Sequence, residues 1–223
     1  MKLIIYFLLL FLLVNCSSVE IVDNWKNPDI DVFESNKTLI VGMTPNIEAR
    51  RQFEKALKAE YEARGIEAYM SLDVFEPDFT LEKQSENDLK RIEDILVANN
   101  FDAVLLTKVI GVEDKIAYKK KYDSFDETHV KFKEDYLKYQ DIYYNPDYYD
   151  EYMVYHTESS LYCLCPAKDK ELIWKGYIDI TDPESVSETI NDYVRLVIVV
   201  LEDQNLLIPK LINVEEGIDN AIQ

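Results

Sequence analysis

The stretch KTLIVGMTPNIEARRQFEKALKAEYEARGIEAYMSLDVF, residues 37–75, decides the fold. It opens on an apolar run rich in branched side chains, 37–44, with the length and composition of a buried strand. Thr44 follows as an N-cap and Pro45 stands at the first helical position, where a missing N–H costs nothing. Phe53, Ala56, Leu57 and Tyr61 recur at helical spacing, and Gly65 closes the helix. Residues 66–75 then read as a second strand.

The pattern continues outward from there. Ser85 and Asp88 approximate a capping box, Leu89, Ile92 and Leu96 give the next helix its apolar stripe, and Asn99 and Asn100 end it. A third strand spans 102–115 with a bulge expected near Gly111. After an interruption at 118–150, strands resume at 152–165, placing Met153, Tyr155, Leu161, Cys163 and Cys165 on one face. Residues 171–180 return with Leu172, Trp174, Ile178 and Ile180 alternating. A last helix starts at Asp182 and Pro183 and turns Val186, Ile190, Val194, Val197, Ile198 and Leu201 inward. The element order is β-α-β-α-β-β-β-α. It predicts an α/β (α+β) fold: one domain over 37–208, with a mixed sheet of about five strands and helices packed on it. Residues 16–36 read as a tether and 209–223 as a loosely docked tail.

Hydrophobic residues make up 48% of the 223, enough for a sizeable core. Asp and Glu outnumber Lys and Arg by 43 to 24, and the net charge of −19 disfavours nucleic acid as a partner. The one basic run, YKKKY at 118–122, reads as a solvated face or strand edge. Cys163 and Cys165 lie two apart on a strand, with Cα atoms roughly 6.6 Å apart. That spacing suits buried, reduced side chains better than a disulfide, unless a bulge intervenes.

Ahead of the domain, Met1 and Lys2 precede twelve apolar residues, Leu3 to Val14. Twelve helical residues span about 18 Å, too short for a hydrocarbon core of about 30 Å but right for the apolar region of a signal peptide. Leu13-Val14-Asn15-Cys16 resembles the bacterial lipoprotein signal, with Asn15 where a smaller residue is usual. The resemblance implies removal of residues 1–15 and diacylglyceryl attachment to the Cys16 thiol. Two or more acyl chains hold a protein stably in a bilayer. Ser17 after the cysteine implies passage to the outer membrane, with the domain facing the periplasm.

Residues 37–68, the FDAVLLTKV strand and the segment LYCLCPAKDKELIWKGYIDITDPESVSETINDYVRLVIVVLEDQNLL resemble uncharacterised bacterial envelope lipoproteins that carry a Tyr-rich insertion. In element order the domain is also similar to those of curli-export and peptidoglycan-synthase-activator lipoproteins. No amphipathic hairpin is long enough to line a pore, so channel formation is not expected. That family lends no catalytic residue.

Nine of the sixteen tyrosines fall between Tyr118 and Tyr152. Tyr139, Tyr143, Tyr144, Tyr148, Tyr149 and Tyr152 form the candidate contact surface, because tyrosine gives large contact area at low entropic cost. The competing readings are cover for the sheet and an unpartnered loop. His129, Lys131 and Asp135 brush against the phospholipase D pattern with the Asp one residue early and no second copy. Asp147, Asp150 and Glu151 match no calcium loop. No phosphate-binding Gly loop or nucleophile elbow occurs, so no cofactor, metal or catalytic residue is expected. The expected function is a non-catalytic binding or assembly module, anchored to the membrane by lipid on Cys16. Its partner would be an envelope protein or cell-wall glycan. The alternative is an envelope hydrolase using a carboxylate pair on glycan or lipid.

Overall fold

The computed structural model describes residues 18–44, 46–75, 83–113, 132–134, 136–137, 154–165, 171–181, 183 and 185–210. Six strands make one mixed sheet: β1 (Val19–Lys26), β2 (Lys37–Met43), β3 (Glu67–Met70), β4 (Ala103–Glu113), β5 (Val154–Cys163) and β6 (Leu172–Thr181). Their spatial order is β1-β6-β5-β4-β2-β3. β3, β2 and β4 run parallel, and β4, β5, β6 and β1 pair antiparallel. The helices are α1 (Ile47–Glu62), α2 (Ser71–Val74), α3 (Glu86–Ala98) and α4 (Val186–Asp203).

The parallel part follows from local chemistry. β2 buries every residue from Thr38 to Met43, as a strand covered on both faces must. The Asn46 side chain caps α1 by accepting from the Ala49 N–H, so the N-cap lies two residues beyond Thr44. Gly65 closes the unit at φ 80°, a conformation glycine adopts at no steric cost. Ser85 and Asp88 form the expected capping box of α3, and Asn99 and Asn100 end it, Asn100 at φ 62°. From β2 the chain crosses to β3 on one side and then back to β4 on the other. α1 therefore packs on one face of the sheet and α3 on the opposite face.

Two cores result. On one face α1 and α4 bring Leu57, Tyr61, Val197 and Leu201 against Ile40, Leu105 and Trp174. On the other, Leu89 and Leu96 of α3 meet Leu39, Val41, Val104 and Tyr162. Phe132 and Tyr136 belong to this second core; Phe132 packs edge-on against Tyr162 with centroids 5.8 Å apart. This part of the Tyr-rich interruption covers the sheet.

The mixed sheet expected from sequence is present, with β1 as its additional strand. Residues 19–26, read as tether, pair with β6 along its length. Residues 71–74 form a helical turn where the sequence reads as strand. The bulge at Gly111 is in place, as a register shift between Val109 and Gly111. A second shift pairs Leu161 with Trp174 and Tyr162 with Leu172, leaving Ile173 as the extra residue. It sends Leu172 to the face opposite Trp174, against the expected alternation. Near this irregularity Cys163 and Cys165 are joined in a disulfide, with Cα atoms 5.3 Å apart instead of the regular strand spacing. On α4, Val186 is 52% exposed at the first turn, and the inward position goes to Tyr193.

Trp174 is fully buried and lies over Gly176, where a Cβ would overlap the six-membered ring of the indole. Gly176→Ala is expected to cost about 1–3 kcal/mol by forcing that ring out of place. A lower urea midpoint at unchanged m-value would show it, and an unchanged midpoint would refute it.

Candidate functional site

β2 has β3 on one side and β4 on the other, with connections leaving in opposite directions, so its carboxyl end is a topological switch point. In open sheets such a point leaves a crevice outside the strand ends. Here a crevice of about 350 Å³ lies between the first turns of α1 and α4. That is near the low end of small-ligand pockets, roughly 300–1,000 Å³. Met43, Phe53, Val109, Ile180, Val186 and Ile190 give it apolar walls.

Thr44, Asn46, Lys108 and Thr189 are among its polar lining residues, and a chain of hydroxyls from three elements runs along its wall. Thr107 of β4 meets Ser159 of β5 at 2.6 Å, Ser159 meets Tyr193 of α4 at 3.0 Å, and Tyr193 meets Thr157 at 2.9 Å. Thr157 donates to the Ile178 carbonyl at 2.6 Å. A hydroxyl has one proton to give, so this last bond fixes the direction of the others. Tyr193 donates to Thr157, Ser159 to Tyr193, and Thr107 to Ser159. Every hydroxyl proton in the chain is used, and none remains for a ligand. Burial pushes the Tyr193 phenol up to about 12, so it stays protonated and keeps the sequence of donors in one direction.

No carboxylate lines the crevice among the described residues. The two most deeply buried carboxylates lie in ion networks outside it. Glu54 of α1 is fully buried: Oε1 accepts from the Gly42 N–H at 2.9 Å, Arg50 Nε at 2.9 Å and Ser71 Oγ at 2.6 Å, and Oε2 from the Leu72 N–H at 3.2 Å. Arg50 Nη2 also donates to Ser71 Oγ at 2.7 Å. Glu158 points to the opposite face of the sheet, where Oε1 accepts from Lys108 at 2.7 Å, Lys175 at 3.2 Å and Ser160 at 2.7 Å. His156 Nδ1 lies 2.7 Å from Asp179 on the neighbouring strand, an ion-pair position and not a free surface histidine.

The start of β1 fixes where the crevice stands. Val19 pairs with Ile180, and Ile180 pairs with Tyr155. Ile180 and Tyr155 both line the crevice. Thr181 donates to the Ser18 carbonyl at 2.8 Å, fastening the chain there. Cys16 lies two residues before Ser18 and is outside the described residues, as are Tyr139, Tyr143, Tyr144, Tyr148, Tyr149 and Tyr152. His129, Lys131, Asp135, Asp147, Asp150 and Glu151 also lie outside them. Sequence reasoning missed the crevice because its hydroxyls come from separate strands and a helix. Thr107, Thr157 and Ser159 share a side-chain phase on adjacent strands, which was the available signal.

Glu54 is the partner that lets Arg50 stay buried. Glu54→Gln is expected to lower stability by about 3–5 kcal/mol by leaving a buried cation uncompensated. Arg50→Met with Glu54→Leu should recover the part of the loss due to the bare cation, while the Gly42 and Leu72 N–H groups still lack their acceptor. Urea unfolding of the three proteins decides, and equal losses in single and double variants would refute the coupling.

No family model matches the chain, and no curated protein matches it. Among solved structures, the chain is similar to the PelC dodecamer from Paraburkholderia phytofirmans, at 11% identity and a TM-score of 0.42, covering 84% of this chain and 98% of that one. It is also similar to lipoprotein GNA1162 from Neisseria meningitidis, at 13% identity and a TM-score of 0.39, covering 75% of this chain and 97% of that one. Likenesses this distant transfer no residue roles. Among the described residues no helix is long and apolar enough to cross a membrane.

Proposed function

We propose that this chain is a non-catalytic binding module of the bacterial cell envelope, held at the membrane by lipid on Cys16. One observation carries the reading. The sheet begins at Val19, directly after the lipobox-like cysteine, and the row that begins there opens into a concave apolar crevice. A protein anchored at Cys16 would hold that crevice close to the bilayer, because two residues span at most about 7 Å. The lack of a carboxylate or histidine among the described lining residues favours binding over acid–base chemistry, which needs a group titrating near neutral pH beside the reacting atoms. The anchor would place the domain on the periplasmic side of the outer membrane, and the tyrosines of 139–152 would meet an envelope protein or wall glycan.

Intact mass of the protein from its native membrane, beside a Cys16→Ser variant, tests the anchor. The expected mass lacks residues 1–15 and carries acyl chains, and the variant lacks both changes. An unmodified full-length mass would overturn the reading. Deleting 139–151 tests the contact surface, since it spares the buried Phe132 and Tyr136. The deletion should keep the thermal midpoint and lose cross-linked partners; unchanged partners would count against the tyrosines.

A further inference from the structure

We infer that the crevice takes up one acyl chain of the lipid on Cys16, an assignment that rests on the anchored reading above. Three observations carry it. The crevice asks for an apolar occupant: its described walls include Met43, Phe53 and Ile190, and the hydroxyl chain from Thr107 to the Ile178 carbonyl has spent every proton internally. Thr44, Asn46 and Thr189 also reach it, but most of its lining is apolar, the surrounding an alkyl chain needs.

The second observation is an apolar rim. Val186, at the first turn of α4, is 52% exposed, and Ile47, at the first turn of α1, is 37% exposed. Both stand at the helix ends that flank the crevice. Apolar side chains left in water beside an apolar cleft gain by being covered.

The third is where the chain outside the described residues leads. Ser18 is fastened to Thr181, next to the crevice residue Ile180, and Cys16 is two residues further on. A chain on its thiol or amine is thus tethered at the mouth, and so short a link makes its entry an intramolecular event with a high effective concentration. Moving from bilayer to crevice exchanges one apolar surrounding for another. With the new amine of Cys16 acylated as well as its thiol, the lipid would carry three chains; two suffice for stable anchoring, so one can leave the bilayer without releasing the protein.

The test is photo-cross-linking in cells, with p-benzoylphenylalanine at Val186 of the full chain, an exposed position whose replacement leaves the core untouched. After irradiation, the monomer band is digested and analysed by mass spectrometry. The expected product joins the peptide containing position 186 to the acylated peptide that begins at Cys16. Ala49→Trp, which fills the crevice from α1, should remove that product at an unchanged thermal midpoint. A product with bilayer phospholipid or with another polypeptide in place of the lipopeptide overturns the assignment. An acylated protein with no product, or a product that survives Ala49→Trp in folded protein, overturns it as well. A Cys16 without acyl chains overturns both this assignment and the anchored reading, which separates the two failures.

Discussion

The fold turns on one buried carboxylate. Glu54 sits in the middle of α1 with no exposure to water, and its four donors belong to three elements: the end of β2, α1 itself and the first turn after β3. Desolvating a carboxylate costs several kcal/mol, and only a full set of charge-assisted bonds makes the position tolerable. Here each bond also sets a distance. The Gly42 N–H holds the strand end against the helix, and Ser71 stops β3 and turns it into α2. The switch point has a definite shape because Glu54 accepts donors only where they now stand. The crevice is the space left beside that arrangement.

Sheet and helices divide the remaining work by face. On the side of α1 and α4 the packing is apolar below and hydroxylic at the crevice, and Tyr193 belongs to both: its ring meets Phe53 edge-on at 5.7 Å while its oxygen joins the chain from Thr107. On the other side Lys108, Glu158 and Lys175 put two cations against one carboxylate, all of them 5% exposed or less. Side chains two apart along β4 and β5 share a face, so hydroxyls and ions alternate without mixing. The Lys108 ammonium therefore turns to Glu158 on the far face, although Lys108 directly follows Thr107 and itself lines the cleft.

Much of this was legible. The run 37–44, the caps at Ser85 and Asn100 and the turn at Gly65 are local features, and local chemistry decides them. What escaped depends on distant partners. β1 reads as loop because Asp23 and Asn24 are poor strand formers, and its pairing partner lies some 150 residues later in the chain. Ser71 reads as strand because its neighbours do, whereas the pull on its hydroxyl comes from Glu54 seventeen residues earlier. Arg50 and Glu54 resemble an ordinary surface pair four residues apart on a helix, and nothing in that spacing announces burial. Leu172 moved faces because of a bulge, and a single extra residue reverses every later side chain.

β1 also changes what the acidic surface means. A net charge of −19 repels anionic headgroups, so charge cannot hold this domain to a leaflet and works against approach. A long tether would let the domain drift beyond the Debye length of about 8 Å, where the repulsion fades. With the sheet starting at Val19, an anchor at Cys16 allows no such retreat. If the proposed acyl chains are attached there, they must overcome the repulsion at close range, and the domain could relieve it by turning. The orientation that helps most presents an uncharged surface to the lipid. At the end where β1 begins, the crevice offers such a surface only locally: Ile47 and Val186 stand on its rim, and Glu48 and Glu188 lie in the same helix turns. Under the proposed anchor, a short leash and an apolar mouth favour the same pose, while the acidic first turns of α1 and α4 oppose it.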